Sequence, residues 1–116
     1  MSKLSLLSLA LLLLARPVAA QDSQAELAAS GRDFALKVCG NCHVVEKGQT
    51  APILKPPAPS FASIVKRRGV NEPWLRQFLS SHLENLGRAE KMPNPQLADF
   101  EIDKIVAYIL QMKRQR

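Results

Sequence analysis

The feature that most constrains this chain is a nine-residue stretch at positions 37–45, which reads KVCGNCHVV. It contains Cys39 and Cys42, the only two cysteines among 116 residues, and His43 follows the second cysteine directly. A disulfide between these cysteines would close a very short loop and add little stability, because cross-link stabilisation grows with loop length. We therefore expect the two thiols to serve a chemical purpose.

Three kinds of site use a Cys-x-x-Cys spacing. A thiol–disulfide oxidoreductase places it at the start of a helix that follows a buried strand. Here residues 31–38 have the pattern of an amphipathic helix, and no βαβ pattern follows. A structural zinc site normally takes a second pair of ligands from elsewhere in the chain, but His82 is the only other histidine. Both interpretations fit the sequence poorly.

Covalent haem attachment accounts for every residue of the stretch, since Cys-x-x-Cys-His is its signature. Each thiol adds across one haem vinyl group to give a thioether, and the adjacent neutral imidazole can bind the iron axially. The sequence therefore predicts one covalently bound haem c, attached through Cys39 and Cys42 and ligated by His43.

The second axial ligand is predicted to be Met92. Pro93 and Pro95 keep the chain around it extended, because a proline disfavours helix at the residue before it. Such a strap suits a thioether ligand that crosses a haem face. His82 is the alternative, and it would give a bis-histidine centre of lower potential. Met112 lies in the last helical pattern, and we interpret it as a surface or packing residue.

Residues 1–20 have the pattern of a secretory signal peptide. Lys3 supplies a positive start, residues 4–15 form an apolar run of twelve, and small residues end at Ala20. Because a spanning helix needs about 20 apolar residues, we expect cleavage after Ala20 and no stable membrane span. The product is predicted in the periplasm of a Gram-negative bacterium. Residues 21–116 then form one monohaem domain of 96 residues, and the loss of Lys3 and Arg16 lowers its net charge from +6 to +4.

The remaining pattern predicts an all-α domain. Helices are expected over residues 26–38, over a short segment at 60–68 capped by Ser60 and ended by Gly69, and after a cap at Asn71. The last helix is expected to start near Asp99. Its apolar stripe comprises Ile102, Ile105, Val106, Ile109 and Leu110. The basic residues 66–68 are interpreted as compensating the macrodipole in the last turn of the short helix.

A chain of this size with four Phe, one Trp and one Tyr has a thin core. A tethered haem would fill the middle of the fold. Basic residues are spread along the chain without interleaved aromatic residues, which argues against nucleic-acid binding.

These features together resemble a class I c-type cytochrome, a small bacterial monohaem cytochrome c, from about Ala25 onwards. The likeness lies in the segments at 31–43, 58–61, 91–93 and 101–110, which read GRDFALKVCGNCH, APSF, KMP and EIDKIVAYIL. It implies four to five helices around one haem. It also implies that Gly31 lets the terminal helix cross closely and that Phe34 and Tyr108 pack between the first and last helices.

The resemblance also implies a proline carbonyl that accepts the axial imidazole N–H, in the loop after the haem motif. Pro52, Pro56 and Pro57 compete for this role, and Pro52 is our preferred candidate. The family usually caps its last helix with Ser or Thr, where this chain has Ala98 and Asp99. We assign the cap to Asp99.

The predicted function is that of a periplasmic electron carrier, which is not an enzyme. Its partners would be redox proteins such as a dehydrogenase, a cytochrome complex or an oxidase. An acidic docking patch on the partner would face Lys37, Lys47, Arg88 and Lys91. The alternatives are a haem enzyme subunit or gas sensor with a labile sixth site and, less in keeping with the sequence, a thiol–disulfide oxidoreductase.

Overall fold

The computed structural model describes residues 18–80 and 92–116, which contain four α-helices and no β-strand. Helix α1 is Val18–Val38, α2 is Phe61–Ile64, α3 is Glu72–Ser80 and α4 is Asp99–Arg114. A single parallel bridge joins His43 and Ala58 in this part of the chain. The all-α prediction is confirmed.

Several predictions fall on other parts of the chain. Most of the proposed signal peptide, together with His82, Arg88 and Lys91, lies outside the described residues. Within the described ranges, no helix is both long enough and apolar enough to cross a membrane.

Helices α1 and α4 form the main packing interface of the fold. They meet at Gly31, where an added Cβ would overlap the carbonyl oxygen of Lys104 and lie 3.1 Å from the Cβ of Tyr108. Phe34 is half-buried against the same core. The close crossing that the resemblance implied is therefore present. Helix α1 includes residues 18–25, which the sequence did not mark as helical, because residues 20–26 are exposed and show no apolar period.

The core joins α4 to α2, α3 and the loops on either side of α2. Leu75 and Leu79 on α3 are buried, while Trp74 stacks on Phe78 with ring centroids 4.9 Å apart and stays 38% exposed. Burying each large apolar side chain contributes about 1.5–3 kcal/mol to folding. The buried cluster comprises Ala35, Val45, Phe61, Val65, Val70, Leu75, Leu79, Ile102, Ile105, Val106, Tyr108 and Ile109.

Two of the three predicted helix caps, Ser60 and Asn71, are observed in the structure. The Ser60 hydroxyl accepts from the Ser63 N–H at 3.1 Å, and the Asn71 side chain accepts from the Trp74 N–H at 2.9 Å. Asp99, in contrast, is the first helical residue of α4. The cap position is Ala98, whose N–H donates to the Glu101 carboxylate at 2.9 Å. The Asp99 assignment was wrong because Glu101 supplies the acceptor from inside the first turn.

Helix α2 is shorter than predicted. It ends at Ile64, and the chain continues through turns to Gly69, where φ is +82°. Residues 66–68 therefore lie beyond the helix, which has no basic residue in its last turn. Their interpretation as macrodipole compensation was wrong.

Candidate haem site

The cysteine motif continues α1 for one further turn. The Cys39 N–H donates to the Ala35 carbonyl at 2.7 Å, and the Cys39 carbonyl accepts from the N–H groups of Cys42 and His43 at 3.1 and 2.8 Å. Backbone hydrogen bonding thus fixes both thiols and the imidazole at the C-terminal end of α1.

The two cysteines are free thiols, each partly buried. Burial, with a smaller contribution from the neighbouring Cys42, raises the pKa of Cys39 to about 11. A catalytic thiol of an oxidoreductase has a lowered pKa, because the thiolate is the nucleophile. The surroundings of Cys39 therefore oppose the thiol–disulfide interpretation.

The imidazole of His43 is almost buried, with 8% of the residue exposed. Its Nδ1 lies 2.7 Å from the carbonyl oxygen of Pro59. A carbonyl can only accept, so Nδ1 carries a proton, and in the neutral imidazole Nε2 then holds the lone pair. The ring of Phe61 packs edge-on at 5.8 Å between centroids and further limits rotation. His43 thus presents a neutral nitrogen of the kind that a metal ion binds.

The carbonyl that accepts from His43 belongs to Pro59, so the choice of Pro52 was wrong. The loop leaves the motif and returns beside it, with the Ala58 N–H donating to the Cys42 carbonyl at 2.8 Å and the Phe61 N–H to the Val44 carbonyl at 3.0 Å. This return places Pro59, near the end of the proline-rich loop, next to the imidazole. Spacing along the chain does not contain that information.

Gln49 organises the loop after the motif, and sequence reasoning missed it. Its side-chain oxygen accepts from the N–H groups of Val45 and Glu46 at 2.6 and 3.1 Å, and its side-chain nitrogen donates to the His43 carbonyl at 3.0 Å. A single amide thereby satisfies three backbone groups of an irregular segment. A glutamine in a loop carries no sequence signal for this role.

Two further contacts hold the same loop against the helices. Arg32 on α1 makes a bidentate ion pair with Glu46, with Nε–Oε2 at 2.6 Å and Nη2–Oε1 at 2.8 Å. The hydrogen bond to Glu46 is the main cause of a raised pKa at Arg32. The Tyr108 hydroxyl on α4 donates to the Val45 carbonyl at 3.3 Å. The loop that follows His43 is therefore tied to both α1 and α4.

Met92 is half-buried and packs against the core, and residues 92–98 are non-helical. The segment is not extended throughout, because Gln96 has a positive φ of 52°. Met112 also packs partly buried against the core, from α4. The sequence predicted Met92 as an iron ligand and Met112 as a surface or packing residue. In the structure Met92 lies in a non-helical segment and Met112 lies on α4.

The available donors fit a covalently bound haem. They are two free thiols three residues apart in one turn, an imidazole whose Nδ1 bonds to a carbonyl, and a partly buried thioether. Throughout residues 18–80 and 92–116, no group of three or more His, Cys, Asp or Glu side chains is arranged to hold a metal ion. The zinc interpretation therefore receives no support from this part of the chain.

Comparison with known proteins agrees with this donor set. Residues 28–113 match the family model for cytochrome c. The chain is 37% identical over 93 residues to cytochrome c-552 of Bradyrhizobium diazoefficiens, an alignment that covers 78% of this chain and 82% of that protein. No solved structure gives a significant match.

The chain belongs to the cytochrome c family, and its fold and motif are those of a class I c-type cytochrome. Cys39 and Cys42 occupy the Cys-x-x-Cys-His positions, so the cofactor is covalently bound haem c. The function is haem-based electron transfer with redox partners, as is typical of a family of electron carriers.

Proposed function

We propose that this protein is a periplasmic electron carrier whose haem c is attached to Cys39 and Cys42 and ligated axially by His43 and Met92. The bound haem would supply a one-electron Fe(III)/Fe(II) couple. The single observation that carries the proposal is the hydrogen bond from His43 Nδ1 to the Pro59 carbonyl. It holds a buried imidazole in the tautomer that an axial ligand requires.

The protein contributes orientation and electronic tuning at this ligand. A carbonyl that accepts the second ring N–H fixes the orientation of a metal-bound histidine and raises its basicity. Pro59 is itself held in place, because the chain on both sides of it bonds to the backbone of the motif. A rigid first ligand limits rearrangement between oxidation states, which suits a carrier.

Met92 is proposed as the second ligand from its backbone surroundings. The strap at 92–98 leaves the side chain half-buried against the core, where a thioether is shielded from water. Methionine ligation raises the potential relative to a bis-histidine centre. His82 remains the alternative ligand.

Export is proposed from the apolar pattern of residues 1–20. Cleavage after Ala20 would remove the first three residues of α1 and leave exposed residues at its new end. The core of residues 21–116 would be unaffected, because its first buried residue is Ala28.

A docking surface for a redox partner is proposed around the motif. Val38, Ile53 and Leu54 are 41%, 78% and 45% exposed, and the Leu54 N–H donates to the Asn41 carbonyl at 3.1 Å. Val38 directly precedes Cys39, and this hydrogen bond brings the segment that contains Ile53 and Leu54 to the residue before Cys42. We call the three apolar side chains the attachment-side surface.

Charge around the attachment-side surface is positive. The exposed cations Lys37 and Lys55 adjoin it in the chain, and Lys47 lies in the loop after the haem motif. The charge of Glu46 is paired with Arg32. A partner with acidic residues around an apolar centre would be complementary to this surface. Such small, weak interfaces suit redox encounters.

The visible spectrum tests the haem and its ligands together. We would express the chain in a host that matures c-type cytochromes and compare Met92→Ala with Met112→Ala, a half-buried methionine on α4 as the matched control. The wild-type and Met112→Ala proteins are expected to keep a weak far-red band in the oxidised state. Met92→Ala is expected to lose this band and to have a lower midpoint potential.

Other outcomes point to the alternatives. If His82→Ala removes the second ligand and Met92→Ala does not, the ligand assignment is wrong. An open sixth site in the wild-type protein would favour a sensor or an enzyme subunit. A colourless protein would contradict haem attachment and would favour a thiol–disulfide or metal-binding role for Cys39 and Cys42.

A further inference from the structure

The proposed cleavage after Ala20 would place a glutamine at the start of the mature chain. Residues 20–24 read AQDSQ, so Gln21 would carry the new α-amino group. A glutamine at this position has a reaction of its own, because its side-chain amide carbon can form a five-membered ring with its own α-amino nitrogen. The surroundings of Gln21 therefore decide whether the mature chain keeps a free amine.

Gln21 is accessible and weakly held in the structure. It lies in the exposed first part of α1, and its side chain has no hydrogen-bond partner among the described residues. The Ser23 hydroxyl donates to the Ala20 carbonyl at 3.0 Å, an exposed contact that the cleavage removes. The first buried residue after Gln21 is Ala28, about 10 Å further along the helix. Packing against the described core therefore does not hold the new terminus in an open conformation.

The charge at this end of α1 also favours ring closure. A free terminus places an ammonium group at the positive end of the helix macrodipole, where a cation is unfavourable. Ring closure removes that charge and leaves the carboxylate of Asp22 near the start of the helix, where an anion is favourable. The ordinary pKa of an α-amino group lies close to neutral pH, so a fraction of it is unprotonated and nucleophilic there.

We propose that Gln21 is a modification site and that the exported chain, once cleaved after Ala20 as proposed above, begins with a pyroglutamate residue. The α-amino nitrogen of Gln21 attacks the side-chain carbon Cδ. A bond forms between these two atoms, the bond from Cδ to Nε2 breaks, and Nε2 leaves as ammonia with a proton from the amine. The step needs no oxidant or reductant, and it is intramolecular because all reacting atoms belong to one residue.

Ring closure changes properties that can be measured on the mature protein. The chain becomes lighter by the mass of one ammonia molecule and loses one positive charge. Its first residue no longer has the primary amine that aminopeptidases and Edman degradation require. Gln24, in the same exposed part of α1, has the same side chain without an α-amino group and cannot form this ring. It provides the matched control.

The N-terminus of the haem-containing protein tests the proposal. The full-length chain would be expressed in the host used for the spectra, collected from the periplasm and kept at neutral pH. Intact mass identifies the first residue and the loss of ammonia. Edman degradation is run before and after treatment with pyroglutamyl aminopeptidase, which removes an N-terminal pyroglutamate. A freshly dissolved synthetic peptide with the sequence of residues 21–30 is handled in parallel and reports ring closure during the measurement.

The wild-type and Gln24→Ala proteins are expected to lack the mass of one ammonia molecule relative to residues 21–116 with haem. Both should resist Edman degradation and should yield Asp22 as the first residue after the aminopeptidase treatment. The Gln21→Ala protein has no amide to react, so it should show its full mass and be sequenced directly from position 21. The peptide should stay largely open over the time of handling.

Three results would overturn the proposal. A wild-type chain that begins at residue 21 with its full mass and a free amine retains the proposed cleavage and lacks the ring. A chain that begins at another residue contradicts both the cleavage after Ala20 and the modification. Ring closure in the peptide equal to that in the protein would identify the ring as a product of handling. A colourless protein with a blocked Gln21 would contradict the haem proposal and still support the modification.

Discussion

The backbone carbonyl of Pro59 determines which ring nitrogen of His43 carries a proton, and the sequence motif around His43 does not predict this contact. The Pro59 carbonyl at 2.7 Å can only accept a hydrogen bond, so it determines which imidazole nitrogen is available to a metal ion. Its position depends in turn on backbone bonds between residues 58–61 and 42–44. At this scale, the properties of one side chain follow from the path of the loop around it.

Gln49 provides a test of that loop. Replacing it with Ala leaves the N–H groups of Val45 and Glu46 and the His43 carbonyl without their partner. Because partly buried groups lose hydrogen bonds, the free energy of unfolding should fall by about 1–3 kcal/mol. Denaturant unfolding of the haem-containing protein measures this loss.

Gln77→Ala is the matched control, since Gln77 is exposed on α3, and its effect should stay within about 0.5 kcal/mol. Gln49→Glu keeps the acceptor and removes the donor, so an intermediate loss is expected. Equal stability of Gln49→Ala and Gln77→Ala would contradict the role given to Gln49.

At the scale of secondary-structure elements, the α1–α4 crossing depends on the absence of a side chain. Gly31 is buried, and the Lys104 carbonyl occupies the space where a Cβ would lie. The glycine therefore brings two helix backbones together above Tyr108, whose hydroxyl in turn reaches the loop after the motif. The geometry of the crossing is transmitted to the attachment site through that contact.

Gly31→Ala is expected to destabilise the protein by about 1–3 kcal/mol, because overpacking at the crossing outweighs the better helix propensity of alanine. Thermal or denaturant unfolding measures the change. Ala29→Gly, at an exposed position of α1, measures propensity alone and should cost about 1 kcal/mol. A stabilised Gly31→Ala protein would show that the helices can separate at no cost.

At the scale of the whole molecule, the core and the cofactor are expected to depend on each other. The described core is dominated by α4, α3 and the loops near the motif, and His43 is the buried polar residue within it. Small domains with little buried apolar surface are marginally stable without a cofactor or cross-link. Binding energy at the attachment site then becomes folding energy.

Loss of the attachment therefore predicts loss of the fold. A Cys39→Ala/Cys42→Ala variant, expressed in the same host as the wild-type protein, should lack a cooperative thermal transition by far-UV circular dichroism. The wild-type protein should show one. A cooperative transition at the wild-type temperature in the double variant would mean that the polypeptide core is sufficient by itself.

The net positive charge leads to a separate prediction for partner docking. An electrode with mixed carboxylate- and methyl-terminated chains imitates an acidic partner with an apolar centre. The rate of electron exchange with the adsorbed protein should fall as salt rises, because exposed charges are screened. Ile53→Asp should lower the rate, while Phe100→Asp, at a residue 61% exposed on α4, should leave it near wild type.

A rate independent of ionic strength would contradict an electrostatic contribution to docking. Equal effects of Ile53→Asp and Phe100→Asp would contradict the attachment-side surface as the site of contact.

Sequence alone determined the chemistry and the class of fold. The Cys-x-x-Cys-His spacing specifies a local turn, and local turns depend on neighbouring residues only, so the haem c prediction was confirmed by the family to which the chain belongs. The stripe of α4 is likewise a local period, and four of its five residues are buried. The axial ligands His43 and Met92 stay predictions.

Tertiary structure decided the features that depend on a loop folding back against residues distant in the sequence. Examples are the hydrogen bond from His43 to Pro59, the loop contacts of Gln49 and the hydrogen bond from Lys113 to Val70, which join segments that are distant in sequence or irregular in backbone. No periodicity marks such contacts, because each is made when a loop folds back on a core whose shape is already formed. For that reason the orientation of His43 became visible in the folded molecule alone.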